Sequence, residues 1–444
     1  MHRLLPISLA FVVSLTTSLV AAQGAPPAKP PTASGSGANA AAALGYQAFL
    51  ASVGKVNLEL AAQRANVPIA EAQIAIGRVF PDPVLTVGVA SVDVSGKGAP
   101  TATTVGITYS VELGGKRDAR VAVAERGSAE ARAALDDYLR TLRATATNGF
   151  IDALLAQMVL ARKQQTLESL EKLVHVNEER VRSGDIGSVA LTQSRVEAQR
   201  FRGDVLSARA EGEAASLALA LHVSAPGAVG AGLSAAGDLK IAPRSFDVEA
   251  LLQRARATRA DLVARRRAAE AAAARVDLAR ANRWVDVTLS VGWQHSFAST
   301  APLFEAPAFE ALAATVSVPL PLSRVYRGEL EAARAAEAQG RTQVQATELR
   351  IEVEVRQAVA RYQAAVARLE LYTSGTGGGL LGDADKVAET TLYNYQRGGA
   401  SLLEVLEAER TVNEVYLGYY QALADHARAL VMVEEAAGVW DVAL

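Results

Sequence analysis

One helical pattern in this sequence runs for far longer than a single globular domain usually allows. Between Lys116 and Leu221 there is no proline, and a helix from Lys116 to Ser183 would be roughly 100 Å long at about 1.5 Å of rise per residue. An apolar residue recurs at every seventh position of this pattern: Leu139, Ala146, Ala153, Leu160, Leu167, Val174 and Val181. The sequence therefore predicts an elongated structure and argues against an ordinary globular domain.

Two such helices are predicted to turn back on themselves. The predicted turns are Ser183, Gly184, Asp185, Ile186, Gly187 and Ser188 in the first, and Arg397, Gly398, Gly399, Ala400 and Ser401 in the second. A new row of heptads follows each turn, from Leu191 to Leu219 and from Leu402 to Ala437. Sustained heptads joined by a short glycine-containing turn are typical of antiparallel helical hairpins.

A pair of strands precedes each hairpin. The predicted strands cover about 84–94, 103–113, 285–295 and 311–320, and the same order of elements occurs in two copies, about 44–222 and 247–438. In the second strand Val105, Ile107 and Tyr109 alternate with small polar residues, which is the period of a strand with one apolar face. Four strands are too few to close a barrel within one chain.

The helices between these elements carry interruptions. We expect the helical stretch from Val56 to Val79 to be interrupted at Pro68, and one helix from about Asp247 to Asn282. We also expect a break at 374–379, where glycines cluster, because each glycine costs about 1 kcal/mol relative to alanine in a helix. No strand precedes this glycine run, so a phosphate-binding loop is not expected there.

The N-terminal segment has the composition of an export signal. Residues 1–22 combine Arg3 with an apolar run and small residues before Gln23, which predicts a cleaved signal peptide, with a membrane anchor as the alternative. Residues 23–43 are rich in Pro, Ala and Gly and predict a disordered leader. Residues 44–444 are expected to form the folded protomer.

Composition excludes several kinds of site. There is no cysteine, hence no disulfide, thiolate metal site or lipidated N-terminal cysteine, and the net charge of -2 gives no basic excess for nucleic acid. The five histidines are scattered, and we interpret His222 and His426 as packed or capped helix residues. The acidic pairs 136–137 and 434–435 are interpreted as solvated faces, since neighbours on a helix diverge. We therefore predict no catalytic residue, no cofactor and no metal site.

Four segments resemble the TolC-type outer-membrane efflux protein family. They are Leu58–Gln63, Phe80–Pro83, Glu112–Arg117 and Tyr395–Arg410, and the Leu-Gly-Gly-Lys-Arg segment within the third suggests the cobalt-zinc-cadmium resistance branch. The resemblance covers about Leu44 to Gly438. Two departures are visible: 259–262 lacks the proline common before the midpoint helix, and 377–379 looks like an insertion.

The resemblance implies a mainly α fold with long antiparallel hairpins that form an α-barrel tunnel. It implies that each chain gives four transmembrane strands to a twelve-stranded barrel in a homotrimer. A periplasmic membrane-fusion adaptor and an inner-membrane pump of the resistance-nodulation-division type are the implied partners. The implied function is passive export through the outer membrane, with heavy-metal cations as a candidate cargo.

We further expect the two turns to form the periplasmic mouth, where the adaptor docks. Asp185, Tyr395, Arg397 and Glu404 lie at or near these turns and are candidates for the gate. The alternative hypothesis is a secreted or periplasmic coiled-coil scaffold without channel activity. The four strands discriminate between the two, because they would form a soluble sheet in a scaffold and would meet lipid in a duct.

Overall fold

The fold is described from a computed structural model, over residues 44–90, 102–224, 233–298, 307–320, 327–375 and 378–441. These residues belong to one compact unit, Ala41–Leu444. The predicted signal peptide and leader, and residues 91–94 of the first predicted strand, lie outside the described residues.

The first half of the chain contains one very long helix. Its elements are β1 (Leu44–Gly45), α1 (Tyr46–Val56), α2 (Leu58–Arg78), β2 (Val84–Ala90), β3 (Ala102–Val111), α3 (Lys116–Arg182) and α4 (Ser188–Leu221). α3 has 67 residues, close to the 68 that we predicted, and α4 returns along it.

The second half repeats this order with its long outward arm divided in two. Its elements are β4 (Ala235–Ala236), α5 (Val248–Thr258), α6 (Ala260–Ala281), β5 (Val287–Ser296), β6 (Phe309–Ser317), α7 (Arg327–Thr373), α8 (Gly379–Gln396) and α9 (Leu402–Ala437). The break that we predicted at 374–379 is present between α7 and α8, and Gly375, Gly378 and Gly379 there have positive φ.

Two of our predictions for the shorter helices were wrong. α2 continues through Pro68, which is exposed on a helix whose other side packs on α3, so water can replace the hydrogen bond that proline removes. The helix predicted from Asp247 to Asn282 divides at Arg259, whose backbone is extended. The buried Arg259 side chain donates to the carbonyl of Ala436 and to Asp261, which fixes the break without a proline.

The four principal strands form one antiparallel sheet in the order β2, β3, β5, β6. Each strand lies within two residues of its predicted start, although β3 and β6 end two and three residues earlier than predicted. β2 and β6 are the edge strands. β1 and β4 form a separate two-residue parallel pair.

The helices pack as layers beside one another, and the main core lies partway along them. α3 packs on α2, α4, α6 and α9, and α7 packs on α6, α8 and α9. The main core joins α1, α5 and the 233–247 segment to the middle of α3 and α7 and to the C-terminal half of α9. Phe49, Phe150 and Tyr362 are among its largest fully buried side chains. The sheet and the helical turns therefore extend from this core at opposite ends of α3.

Candidate functional site

The register of the sheet collects its large apolar side chains on one face. Ile107 lies opposite Leu85 on one side and Val291 on the other, and Val291 lies opposite Ala314. Directly opposed residues of antiparallel strands point to the same face. That face, called the apolar face below, includes Leu85, Val87, Val89, Val105, Ile107, Tyr109, Leu289, Val291, Trp293, Leu312, Ala314 and Val316. Thr103, His295 and Glu310 lie on the same face in one opposed row.

The rest of the described chain leaves this apolar face uncovered. Ile107 is 54% exposed and Leu312 is 78% exposed. An uncovered apolar surface that crosses four strands indicates contact with another hydrophobic phase or with a partner.

The opposite face of the sheet carries mostly small and hydroxylated residues in β3 and β5, with Val84 and Phe309 on its edge strands. Thr108 and Ser290 share a hydrogen bond of 3.1 Å, and Ser110 and Thr288 share one of 3.4 Å. Gly106 lies opposite Gly292 in the middle of this face. The sheet thus separates an apolar face from a polar one, as the alternation in the second predicted strand indicated.

The junction between sheet and long helix is built from the Glu112–Arg117 segment. Gly114 and Gly115 both have positive φ, and the Trp284 ring lies against Gly114, where an added Cβ would come within 2.4 Å of it. Arg120 donates two hydrogen bonds to Glu112, which pairs the end of β3 with the first turns of α3. These contacts fix the direction in which α3 leaves the sheet.

The two predicted turns lie where α3 meets α4 and where α8 meets α9. Gly184 and Gly398 have φ of 81° and 79°, and nothing lies within 4 Å of an added Cβ at either position. Ser401 and Glu404 form a capping box at the start of α9. The hydroxyl of Ser183 donates to Asp185 at 2.9 Å. Both turns are therefore compact, with open space around their glycines.

Tyr395 joins the two hairpins just above the turns. Its hydroxyl donates to Oδ1 of Asn177 at 2.6 Å, and its backbone carbonyl accepts from Arg180 at 3.2 Å. The Arg180 guanidinium also lies 4.8 Å from the centroid of the Tyr395 ring. Tyr395 is buried in a small cluster with Leu173, Leu402 and Val405.

The other gate candidates are placed differently. Arg397 stacks over the exposed ring of Tyr393 at 4.4 Å, and Asp185 is exposed beside Ser183. Hydrogen bonds from the backbone and hydroxyl of Ser401 lower the pKa of Glu404. The gate role of Asp185, Tyr395, Arg397 and Glu404 stays a prediction.

Sequence reasoning did not single out Asn177 and Arg180, the two α3 partners of Tyr395. A signal was available, because Asn177 continues the seven-residue row of Leu170 and is a polar residue at a buried position. Buried polar side chains in a helical seam need a partner, and their partners fix the register of the helices.

The interpretation of the acidic pairs as solvated was wrong for one member. Glu434 is 3% exposed, and its carboxylate accepts from the backbone of Asp441 at 3.0 Å. Burial raises the pKa of its neighbour Glu435, although Arg140 pairs with that carboxylate at 3.0 Å. Arg140 also pairs with Asp137 of its own helix, and its pair with Glu435 joins α3 to α9.

Over the described ranges, no cluster of three or more His, Asp or Glu is arranged to hold a metal ion. Within the same residues, no helix combines the length and apolarity needed to cross a membrane.

A sheet with one apolar face, joined to long helical hairpins, is the fold of outer-membrane efflux channels. The chain belongs to the outer membrane efflux protein family, whose model matches residues 52–223 and 251–439. The family membership inferred from the sequence is thereby confirmed.

Individual relatives span nearly the whole chain. This chain is 26% identical over 401 residues to the cobalt-zinc-cadmium resistance protein CzcC of Cupriavidus metallidurans. The match covers 90% of this chain and 91% of that protein. The crystal structure of CusC superposes with a TM-score of 0.70 at 18% identity, covering 89% of this chain and 92% of CusC. VceC of Vibrio cholerae superposes with a TM-score of 0.68 at 21% identity, covering 88% and 95%.

Proposed function

We propose that this chain forms the outer-membrane exit duct of a tripartite efflux system. Three copies build one barrel of twelve strands, continued by a helical tunnel into the periplasm. The duct conducts its cargo passively from a periplasmic adaptor and an inner-membrane pump of the resistance-nodulation-division type to the exterior. The chain reaches the outer membrane through its signal peptide and is not lipidated.

The observation that carries this proposal is the uncovered apolar face on a sheet with two open edges. The edge strands β2 and β6 present unpaired backbone groups, which cannot remain unpaired in lipid. Four strands are too few to close on themselves. Three copies, each pairing β6 with β2 of the next, remove every edge and turn the apolar face outward to the bilayer.

The helices support the same closed arrangement of three copies. α4 packs along α3 and exposes Val189, Val196 and Leu217, which are separated by multiples of seven residues. α8 packs on α9 and exposes Leu380 and Val387, again seven residues apart. Exposed heptad rows on two helices are typical of surfaces that pack against further helices. A head-to-tail ring would bring α4 of one copy to α8 of the next.

The turns at 183–188 and 397–401 are proposed as the periplasmic mouth, where the adaptor docks and the resting channel narrows. In a trimer, six such turns meet at one end. The open space around Gly184 and Gly398 supports close approach of another protein's helices.

Cell fractionation tests the proposal. The full chain should appear in the outer-membrane fraction as a trimer that resists detergent and dissociates on heating, and it should form channels in a planar bilayer. Recovery as a soluble periplasmic protein without conductance would favour the coiled-coil scaffold instead.

The likeness to CzcC supports divalent heavy-metal cations as the proposed cargo. Removal of the gene should sensitise its host to cobalt, zinc or cadmium, and restoring it should return growth. Sensitivity only to organic compounds would assign a different cargo while leaving the duct in place.

A further inference from the structure

One histidine is enclosed in the main core, where the 237–247 segment, which connects β4 to α5, meets α7 and α9. His426 of α9 is fully buried, and its Nε2 lies 3.3 Å from the hydroxyl oxygen of Tyr362 on α7. The backbone N–H of Arg244 donates to the same oxygen at 2.7 Å, and the Phe246 ring packs edge-on against Tyr362 with the centroids 5.0 Å apart. Tyr362 therefore fastens the segment to the long helices.

The direction of the hydrogen bond between Tyr362 and His426 depends on which ring nitrogen carries hydrogen. The Tyr362 oxygen accepts from the Arg244 amide, and we assign the hydroxyl proton to Nε2 of His426 because no other acceptor is described for it. A neutral ring with its hydrogen on Nδ1 satisfies that arrangement. A protonated ring would carry a hydrogen on both nitrogens, which would leave the Tyr362 hydroxyl proton without its acceptor.

The surroundings offer no compensation for a charge on this ring. Nδ1 has no hydrogen-bond partner in the described part of the chain. The neighbouring charges on α9 are engaged elsewhere, since Asp425 pairs with Arg368 and Arg428 pairs with Asp152. The Arg244 guanidinium turns to Asp441 and Glu434.

The other elements of this core also direct their charged or titratable groups elsewhere. From α3, Arg143 stacks on Trp440 at 4.8 Å, and from α1, the Tyr46 hydroxyl shares a hydrogen bond with Thr147. On α5, Glu249 and Arg256 pair with Arg356 and Glu352 of α7. The described contacts thus place no carboxylate on the His426 ring.

We propose that His426 makes the attachment of the 237–247 segment sensitive to acid, and that protonation of its ring releases this segment from α7 and α9. This inference adds a regulatory feature to the proposed duct, and it rests on that function only for its role in the periplasm, whose pH follows the surroundings. The contact itself, and its test, concern the protomer alone.

The direction of the pH dependence follows from burial. Burial lowers the pKa of His426 below its ordinary value of 6.5. The attachment is therefore fully present above about pH 6.5 and weakens as the pH falls through the lowered pKa.

Hydrogen exchange at the Arg244 amide measures this attachment directly, because that N–H is the one bound to Tyr362. We expect the protection factor of this amide in the purified full chain to fall about tenfold or more between about pH 7.5 and about pH 5. In His426→Gln, whose side-chain oxygen can accept from Tyr362 but does not titrate, protection should stay flat. His175→Gln, at an exposed histidine of α3, is the matched control and should behave as the parent does.

An equal fall in His426→Gln, or a flat profile in the parent protein, would overturn the proposal. Should the glutamine variant not fold, Tyr362→Phe provides the second test, since removal of the hydroxyl should leave Arg244 unprotected at both pH values. A Tyr362→Phe protein that keeps the parent's protection would also overturn it. Bilayer conductance, measured separately, decides the duct: its absence would refute the proposed function without changing the exchange result.

Discussion

The ammonium group of Lys116 donates a hydrogen bond of 2.7 Å to Asp286, which joins the two halves of the chain at the base of the sheet. Lys116 is the first residue of α3, directly after the first strand pair, and Asp286 immediately precedes β5. The Lys116 side chain is 10% exposed and that of Asp286 is 38% exposed. The same carboxylate also accepts from the backbone of Leu113. This contact therefore fixes both strand pairs relative to α3.

Loss of the Lys116 cation should weaken this joint. Lys116→Met keeps the length of the side chain but leaves Asp286 without its ion pair. We expect the free energy of unfolding to fall by about 1–3 kcal/mol, because the site is only partly buried. The measurement is the temperature at which trimers dissociate. Lys172→Met, at an exposed pair on the same helix, is the control and should change that temperature little. Equal effects would argue against a special role for the joint.

Gly114 should tolerate substitution far less than Gly115. Both have positive φ, so alanine costs about 1 kcal/mol at either position, but only at Gly114 would the new Cβ collide with Trp284. Gly114→Ala should therefore reduce the assembled protein several-fold in the membrane fraction, and Gly115→Ala much less. Adding Trp284→Gly to Gly114→Ala should restore part of the loss, because it removes both the ring and the Trp284 Cβ, which would lie 2.7 Å from the new methyl group. No restoration would remove the collision as the cause.

The two faces of the sheet should respond differently to charge. Ile107→Arg places a cation on the face that we assign to lipid, at a cost of about 2–4 kcal/mol near the bilayer midplane, whereas Thr108→Arg points to the polar face. Assembled trimer should fall strongly in the first variant and little in the second. Equal loss in both would contradict the assignment of the apolar face to lipid.

The turns should be needed for export and dispensable for assembly. Gly184→Arg and Gly398→Arg each force a side chain into a backbone conformation that favours glycine and into the proposed docking surface. Export should be lost in a resistance assay while the trimer still forms. Normal export by both variants would remove the docking role from the turns.

The contact between Tyr395 and Asn177 should hold the proposed mouth narrow. Tyr395→Phe removes one buried hydrogen bond, worth about 1 kcal/mol, without changing the packed ring. Single-channel conductance should rise, as it should in Arg397→Ala if that residue closes the mouth. Tyr393→Phe, at an exposed neighbouring ring, is the control for the first variant. Unchanged conductance in Tyr395→Phe would assign that hydrogen bond to stability alone.

The sequence by itself determined the elements that depend on periodicity and on special backbone residues. The heptad row from Leu139 to Val181 predicted α3, and alternation around Ile107 predicted β3, because each pattern repeats with the geometry of its own element. The glycines at 184 and 398 marked the helical turns for a similarly local reason.

Only the tertiary structure decided what depends on neighbours distant in the chain. Pro68 lies within a continuous helix because α3 supports α2, and the helix break at Arg259 is held by contacts with Ala436 and Glu354. Asn177 was missed as the partner of Tyr395 because the two are 218 residues apart. Periodicity shows which side of an element is apolar, whereas its contacts arise only when separate segments pack together.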